Sequence, residues 1–326
     1  KGAEYRKLHS EEPYVYTSGV YSPIEARIAE EAGLKCVSMS GYSCALGYLG
    51  RADLGFPTIT EMTTWAGYIA RAVNIPVIAD ADDGYGNALI TTRTIEEYER
   101  TGVAAIHLED QRLPKRCGHL AGKYCLPMEE SVLKLKAALN ARSDPDFFII
   151  ARTDAVSAVG GGMEEAIERG KRYADAGADL VWPEFPTPDR KYAEVFAEAL
   201  DKDFPGLPLG FNYSSSFKWT EAEDPVTFKE LGRMGYKYIF ISMGALHAAM
   251  YAEWNFLKDL SENQEQAQLR LQALKDGHPT ENHHVMGRFD HFQKLEEEYL
   301  PQEMVQERYS ATQGFGARDF HARDVL

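Results

Sequence analysis

Eight short apolar runs, each followed by a longer amphipathic stretch, govern what this 326-residue chain can fold into. The runs are PYVYTSG (13–19), CVSMSG (36–41), PVIADAD (76–82), AAIHLED (104–110), FFIIARTDA (147–155), ADLVWPE (178–184), LPLGFN (207–212) and YKYIFISMG (236–244). Most are apolar almost throughout, the pattern of strands buried on both faces of a parallel sheet. SPIEARIAEEAG, TITEMTTWAGYIARAV, TRTIEEYERTG, MEESVLKLKAALNA, MEEAIERGKRYADAG, RKYAEVFAEAL, PVTFKELGRMG and LHAAMYAEWNFLKDL carry apolar residues at helical spacing. Several end on Ala-Gly, Thr-Gly or Met-Gly, as a left-handed helix C-cap requires. Strict alternation predicts an α/β fold, and eight units predict closure into a (β/α)8 TIM barrel. A doubly wound open sheet shares the alternation and is the alternative. The lack of a Gly-x-Gly-x-x-Gly turn after the first run weighs against it, and the GGG at 160–162 reads as a flexible loop.

The pattern changes after about residue 261, which divides the chain into a barrel over 1–260 and a C-terminal helical arm and tail over 261–326. SENQEQAQLRLQALKDG is polar and helical, HPTENHHVMGRFDHF irregular, and LEEEYLPQEMVQERYSATQGFGARDF (295–320) reads as a helix and tail. The segment is expected to be a packing arm or an element exchanged between subunits; a disordered tail is the alternative. A net charge of −15 argues against nucleic-acid or anionic-membrane partners, although a local basic pocket can still hold a small anion. Four cysteines without a C-x2-C pair, no signal peptide and no apolar run near 18 residues read as reduced thiols in a cytoplasmic protein. The first residue is Lys rather than Met, which points to a processed or truncated N-terminus.

In a (β/α)8 barrel the C-terminal strand ends build the active site. Here they carry Ser40-Gly41-Tyr42, then Asp80, Asp82 and Asp83, then Glu109-Asp110-Gln111, then Arg152, Thr153 and Asp154, then Glu184, Asn212 and Ser242. Asp80 and Asp82, two apart on a strand, share a face and call for a cation; oxygen-only ligands suit Mg²⁺ or, in its place, Mn²⁺. Asp83 is either a further ligand or a cap or loop residue. Arg152 should pair with a carboxylate, of a substrate or of Glu184 or Asp154. Ser214, Ser215 and Ser216 offer hydroxyls that could bind a second carboxylate, though loops are often Ser-rich. The loop KRCGHLAGK (115–123) sets Cys117 among Lys115, Arg116 and Lys123 between flexible glycines. A cation beside a thiol favours the thiolate, so Cys117 is a candidate acid/base. His107, inside a strand, reads as a packed core residue, and His247, His283 and His284 as local caps or surface groups.

Together KRCGH, ADADDGYG, EDQ, ARTDA and NYSSSFKW resemble the isocitrate lyase/phosphoenolpyruvate mutase superfamily over about residues 13–260. KRCGH matches K-[KR]-C-G-H, a signature of the lyase branch whose Cys the mutases generally lack. NYSSSFKW is similar to the N-C-S-P-S-F-N-W segment of isocitrate lyase proper. The resemblance implies direct Mg²⁺ binding by Asp80, with Asp53, Asp82 and Glu109 acting through water. It implies that Ser40, the Gly41 amide and Arg152 grip the glyoxylate half of isocitrate. Asn212, Ser214, Ser216, Ser242, Gly118 and His119 would hold the succinate half, with Cys117 as acid and Glu184 orienting the polar network. The implied partners are a small di- or tricarboxylate and three further copies, in a homotetramer with swapped C-terminal helices. Several positions depart from the pattern. Tyr42 replaces the aromatic of S-G-W, Ser38 replaces the Tyr proposed as hydroxyl base (a role Tyr42 could take), Ser215 replaces Pro and Lys218 replaces Asn. The chain is also shorter than typical isocitrate lyases. An S-G-Y start resembles the branch acting on alkylmalates or oxaloacetate, so 2-methylisocitrate lyase, alkylmalate lyase and oxaloacetate hydrolase are the alternatives to isocitrate lyase.

Overall fold

The structure, a computed structural model, describes residues 1–310, the side chain of Ser215 excepted. The strands are β1 (Val15–Val20), β2 (Val37–Met39), β3 (Val77–Asp80), β4 (Ala105–Glu109), β5 (Phe148–Thr153), β6 (Leu180–Pro183), β7 (Leu209–Asn212) and β8 (Tyr236–Ile241). Every neighbouring pair is parallel, and the β8–β1 pairing of Phe240 with Thr17 closes the barrel in chain order. The open-sheet alternative is thereby excluded. From β3 to β6 every residue is buried, which is why those runs lack polar alternation. Helices separate the strands, and Gly102 (φ 85°) and Gly177 (φ 99°) end two of them in the left-handed conformation that glycine adopts without strain.

Two helices add to the sequence pattern. Gly2–Glu11 precedes β1: its Tyr5 is buried with its ring edge on Phe148, His9 stacks on Phe148, and Arg6 reaches Asp179 at 2.8 Å. The helix therefore packs around the N-terminal end of β5. Gly41–Leu49 follows β2 directly, with Ser40 as its N-cap. The barrel interior is aromatic and aliphatic, with Ile78, Ile150, Leu180, Trp182, Tyr238 and Phe240 in one cluster.

The chain divides into two compact units, 1–249 and 250–326, and the helix Gly244–Asn263 runs from one into the next. The second unit holds the helices Glu265–Lys275, His283–Met286, Phe289–Tyr299 and Gln302–Ser310. Residues 311–320 of the expected tail lie outside the described residues. Among the described residues no helix is long and apolar enough to cross a membrane.

Candidate active site

The acids meet at the C-terminal mouth of the barrel. Asp80 ends β3, and the chain turns sharply after it: Asp82 (φ 46°) and Tyr85 (φ 61°) are both non-glycine residues in left-handed conformation. Strain of this kind persists where the surroundings hold it. Asp82 donates its backbone N–H to Asp80 Oδ1 at 2.9 Å. Asp80 Oδ2 accepts the Gly41 N–H at 3.0 Å, at the N-terminus of the helix Gly41–Leu49. A Cβ at position 41 would stand 2.6 Å from that oxygen, so the close approach requires glycine. The Gly41 amide, expected to grip a substrate carboxylate, is here engaged by Asp80. Glu109 ends β4, and Asp53 comes from the loop before Ile59–Ala72. Asp83 stands apart in a buried ion pair with Lys134 at 3.3 Å, which makes it structural.

Lys115 occupies the middle of this nest, 2.9 Å from Asp53 Oδ1 and 2.5 Å from Asp82 Oδ1. The sequence reading set this cation beside the thiol; its ammonium is instead committed to two carboxylates. Burial pushes Asp82 up to about 7, with Lys115 pulling it down and Asp80 and Asp53 raising it. Burial likewise drives Glu109 well above the carboxylate range, and its Oε1 has no hydrogen-bond partner among the described residues. Asp80 is also buried, yet His107, Lys115 and Arg152 bring it below its ordinary value.

Six carboxyl groups are buried around the mouth: Asp53, Asp80, Asp82, Glu109, Asp154 and Glu184. Lys115, Lys123, Arg152 and the His119 imidazolium face them, two positive charges short. That shortfall, the oxygen-only donors and the orphaned Glu109 oxygen fit a single divalent cation of the hard, oxygen-loving kind. Among the described residues no three His, Cys, Asp or Glu side chains already stand at mutual ligand spacing.

A lid covers the mouth. It springs from the end of β4, and its two arms are bridged at Gln111 and Cys125 and by Arg112 N–H donating to the Tyr124 carbonyl at 2.8 Å. The Gln111 amide clamps the Arg116 backbone, donating to its carbonyl at 2.8 Å and accepting its N–H at 2.9 Å. Cys117 N–H donates to the Asp53 carbonyl at 3.0 Å, and Lys123 donates to the Gly118 carbonyl. A Cβ on Gly118 would lie 2.5 Å from Arg152 Nη2 and 2.7 Å from Glu184 Cγ, so only glycine lets the lid come down this far. Beneath it Ser40, Tyr42, Asp80, Cys117, Arg152 and Ser242 line a cleft of ≈ 40 Å³. That is room for a few waters, so anything larger needs the lid to move.

The far end of the lid carries His119. Its Nε2 lies 3.0 Å from Glu184 Oε1, its Nδ1 3.5 Å from Ser214 Oγ, and its ring meets Phe217 edge-on at 4.3 Å. Asn212 donates to the same Glu184 oxygen at 2.8 Å. Burial works against the imidazolium, but Cys117 and Glu184 raise it to about 9. Burial would raise Glu184, yet Arg152, His119 and Asn212 bring it down to about 2.

Arg152 is held by Asp154 through two hydrogen bonds of 3.0 and 3.1 Å, lies 3.5 Å from Glu109, and crosses the Trp182 ring at 5.2 Å. Its protein-carboxylate reading is thus realised in this closed form. Ser40, Tyr42, Gly118, Asn212 and Ser242 line the cleft, Ser242 with a buried hydroxyl that has no hydrogen-bond partner among the described residues. Ser214 is buried beside His119, whereas Ser216 is exposed and meets the site only through its N–H to Ser214 Oγ at 3.1 Å, because the chain turns outward there. Tyr42 is raised by burial, Cys117 and Asp53, which favours a neutral phenol that donates a hydrogen bond over a base. Sequence reasoning set Lys115 and Lys123 only beside the thiol, offered Asp154 at the mouth as a partner of Arg152, and assigned neither His107 nor Trp182 to the site. Asp154 had a signal, standing two residues after Arg152 at a strand end; Trp182 had none beyond its strand.

A parallel eight-stranded barrel with buried acids at its mouth and a thiol-bearing lid defines an enzyme site. The chain belongs to the phosphoenolpyruvate phosphomutase family, whose model matches residues 5–261, and is an enzyme of its carbon–carbon lyase type. It is 44% identical to an isocitrate lyase of Haloferax volcanii, over 97% of this chain and 91% of that one. It is 37% identical to a 2-methylisocitrate lyase of Aeropyrum pernix, over 80% of each. Its fold superposes on an oxaloacetate acetylhydrolase bound to 3,3-difluorooxalacetate with a TM-score of 0.76 and 31% identity, covering 96% of this chain and 98% of that one.

Proposed function

We propose that the protein cleaves isocitrate to glyoxylate and succinate by a retro-aldol reaction that depends on Mg²⁺, with Mn²⁺ as a substitute. The observation that carries this reading is the seating of Cys117-Gly118-His119 over Glu184, Asn212 and Ser214, the segment that resembles isocitrate lyase proper. The Haloferax volcanii isocitrate lyase supports it, since it is matched over nearly its full length despite the shortness of this chain.

Asp80 would hold the cation, with Asp53, Asp82 and Glu109 arranged around it through water. When bound it supplies Lewis-acid stabilisation of the oxygen on the carbon that becomes a carbonyl. Arg152 and Ser40 bind the carboxylate of the glyoxylate half. The substrate hydroxyl gives its proton to a carboxylate of the acid nest, the oxygen's electron pair forms the new carbonyl, the C2–C3 bond breaks, and its electron pair passes to the succinate fragment. The imidazolium of His119, Asn212 and Ser214 take up the charge on the succinate carboxylates. Cys117 gives its proton to the carbanionic carbon, and the closed lid keeps water from competing.

Exposed Met250, Tyr251, Trp254 and Leu257 on the second unit mark the surface we assign to further copies of the chain in a tetramer. A monomer by light scattering would contradict that assignment. Tyr42 favours a second reading, cleavage of an alkylmalate or oxaloacetate. The test of function is to incubate the protein and Mg²⁺ with isocitrate, 2-methylisocitrate, dimethylmalate and oxaloacetate and identify the acids released. Glyoxylate from isocitrate, at a kcat/KM at least ~10²-fold above the others, is the expected result. Preferential turnover of any other acid in the panel overturns it.

A further inference from the structure

Three successive lid residues are each fastened differently. Lys115 sends its ammonium into the mouth, where Asp53 and Asp82 receive it, and its side chain is 3% exposed. Arg116 is held by its backbone within the lid, through Gln111. Cys117 is tied by its N–H to the Asp53 carbonyl. Asp53 thus receives both the side chain of Lys115 and the backbone of the thiol residue two positions on. Lys115 is the only one of the three whose charge crosses from lid to barrel.

We propose that Lys115 is the latch of the lid, a positioning residue that seats the Cys117 thiol by engaging Asp53 and Asp82. The alternative role is the one a loop sequence rich in cations invites, in which Lys115 acts on the thiol itself. The two roles predict opposite signs for one measurement. A cation that favours the thiolate speeds alkylation, so its removal slows labelling. A latch hides the thiol, so its removal accelerates labelling. The proposal deepens the lyase reading and rests on it for the purpose of the thiol; the labelling needs no substrate, so either can fail alone.

The four cysteines make the experiment self-controlled. Cys36 and Cys44 are fully buried in the barrel and report global opening, while Cys117, 8% exposed, reports the lid. Full-length protein without added metal is treated with iodoacetamide and labelling is followed cysteine by cysteine by mass spectrometry. In Lys115→Met, Cys117 is expected to label about tenfold faster, with Cys36 and Cys44 unchanged. Asp53→Asn should accelerate Cys117 similarly, and adding it to Lys115→Met should add little, because both remove one interaction. Labelling of Cys117 at the wild-type rate or slower in Lys115→Met overturns the proposal. If Cys36 and Cys44 accelerate too, that variant has lost its fold, and Asp53→Asn decides by the same criterion.

Discussion

The two halves of the mouth are both largely enclosed and behave oppositely. Around His119 a buried carboxyl, Glu184, falls to about 2 and the imidazole rises to about 9, because each has its counter-charge within hydrogen-bond reach. Around Asp80 burial pushes Asp82 up to about 7 and Glu109 well above its usual range, since Lys115 and Arg152 together cannot serve so many acids. Burial penalises charge in both places; the supply of partners decides the outcome. One half is electrostatically complete before substrate arrives. The other is short of positive charge, as the proposed cation requires.

The sharpest test of the join between the halves is Cys117→Ser. It should lower kcat about 10³-fold, within the range of a lost general acid, while succinate plus glyoxylate still bind by calorimetry. Wild-type turnover would remove the thiol from the mechanism. Glu184→Gln breaks the complete half: kcat/KM should fall about 10²-fold, and the His119 titration followed by NMR should drop from about 9. The sign follows from linkage. His119 is raised on folding, so its contribution is full below its unfolded value and is lost as pH rises through about 9. In Glu184→Gln that alkaline loss should shrink; an unchanged titration would contradict the pairing.

Burial without a hydrogen-bond partner among the described residues occurs at the other end of the barrel. His9, clasped by Tyr5 and Phe148, is pushed down to about 4 by burial and by Lys237 and Arg6. Its folded value lies below the unfolded one, so stability is full above the unfolded value and is lost as pH falls towards 4. Urea unfolding should show about 1–2 kcal/mol of this loss between pH ~7 and ~5, absent in His9→Gln. The smallest effect belongs to the acid nest. Glu109→Gln removes a buried carboxyl that has only a shared Arg152 as counter-charge among the described residues, so the metal-free protein should melt about 2–4 °C higher, and Mg²⁺ should then stabilise it less than wild type. A lower melting temperature without metal would mean that the nest is not short of positive charge.

What the sequence disclosed follows the same physics. All eight strands were legible, most plainly β2 to β6, where two-sided burial makes each run apolar without reference to its neighbours. The helix Gly2–Glu11 was not, because it buries only Gly2 and Tyr5 and has no apolar stripe. Gly41–Leu49 was hidden by being apolar nearly all round, without a helical period. At the site, residue types at strand ends located the acids, Arg152 and Asn212. The direction of Lys115 was illegible: its partners arrive from the loops after two other strands, and a list of neighbours in sequence points it at Cys117. Ser216 was placed with Ser214 by the family resemblance, which cannot show that its side chain is exposed here.

Isocitrate cleavage by chelator-treated protein, measured before and after Mg²⁺ is restored, tests the central claim most directly. The account predicts negligible glyoxylate release without the cation and full recovery with it. Undiminished turnover in the stripped protein would contradict it.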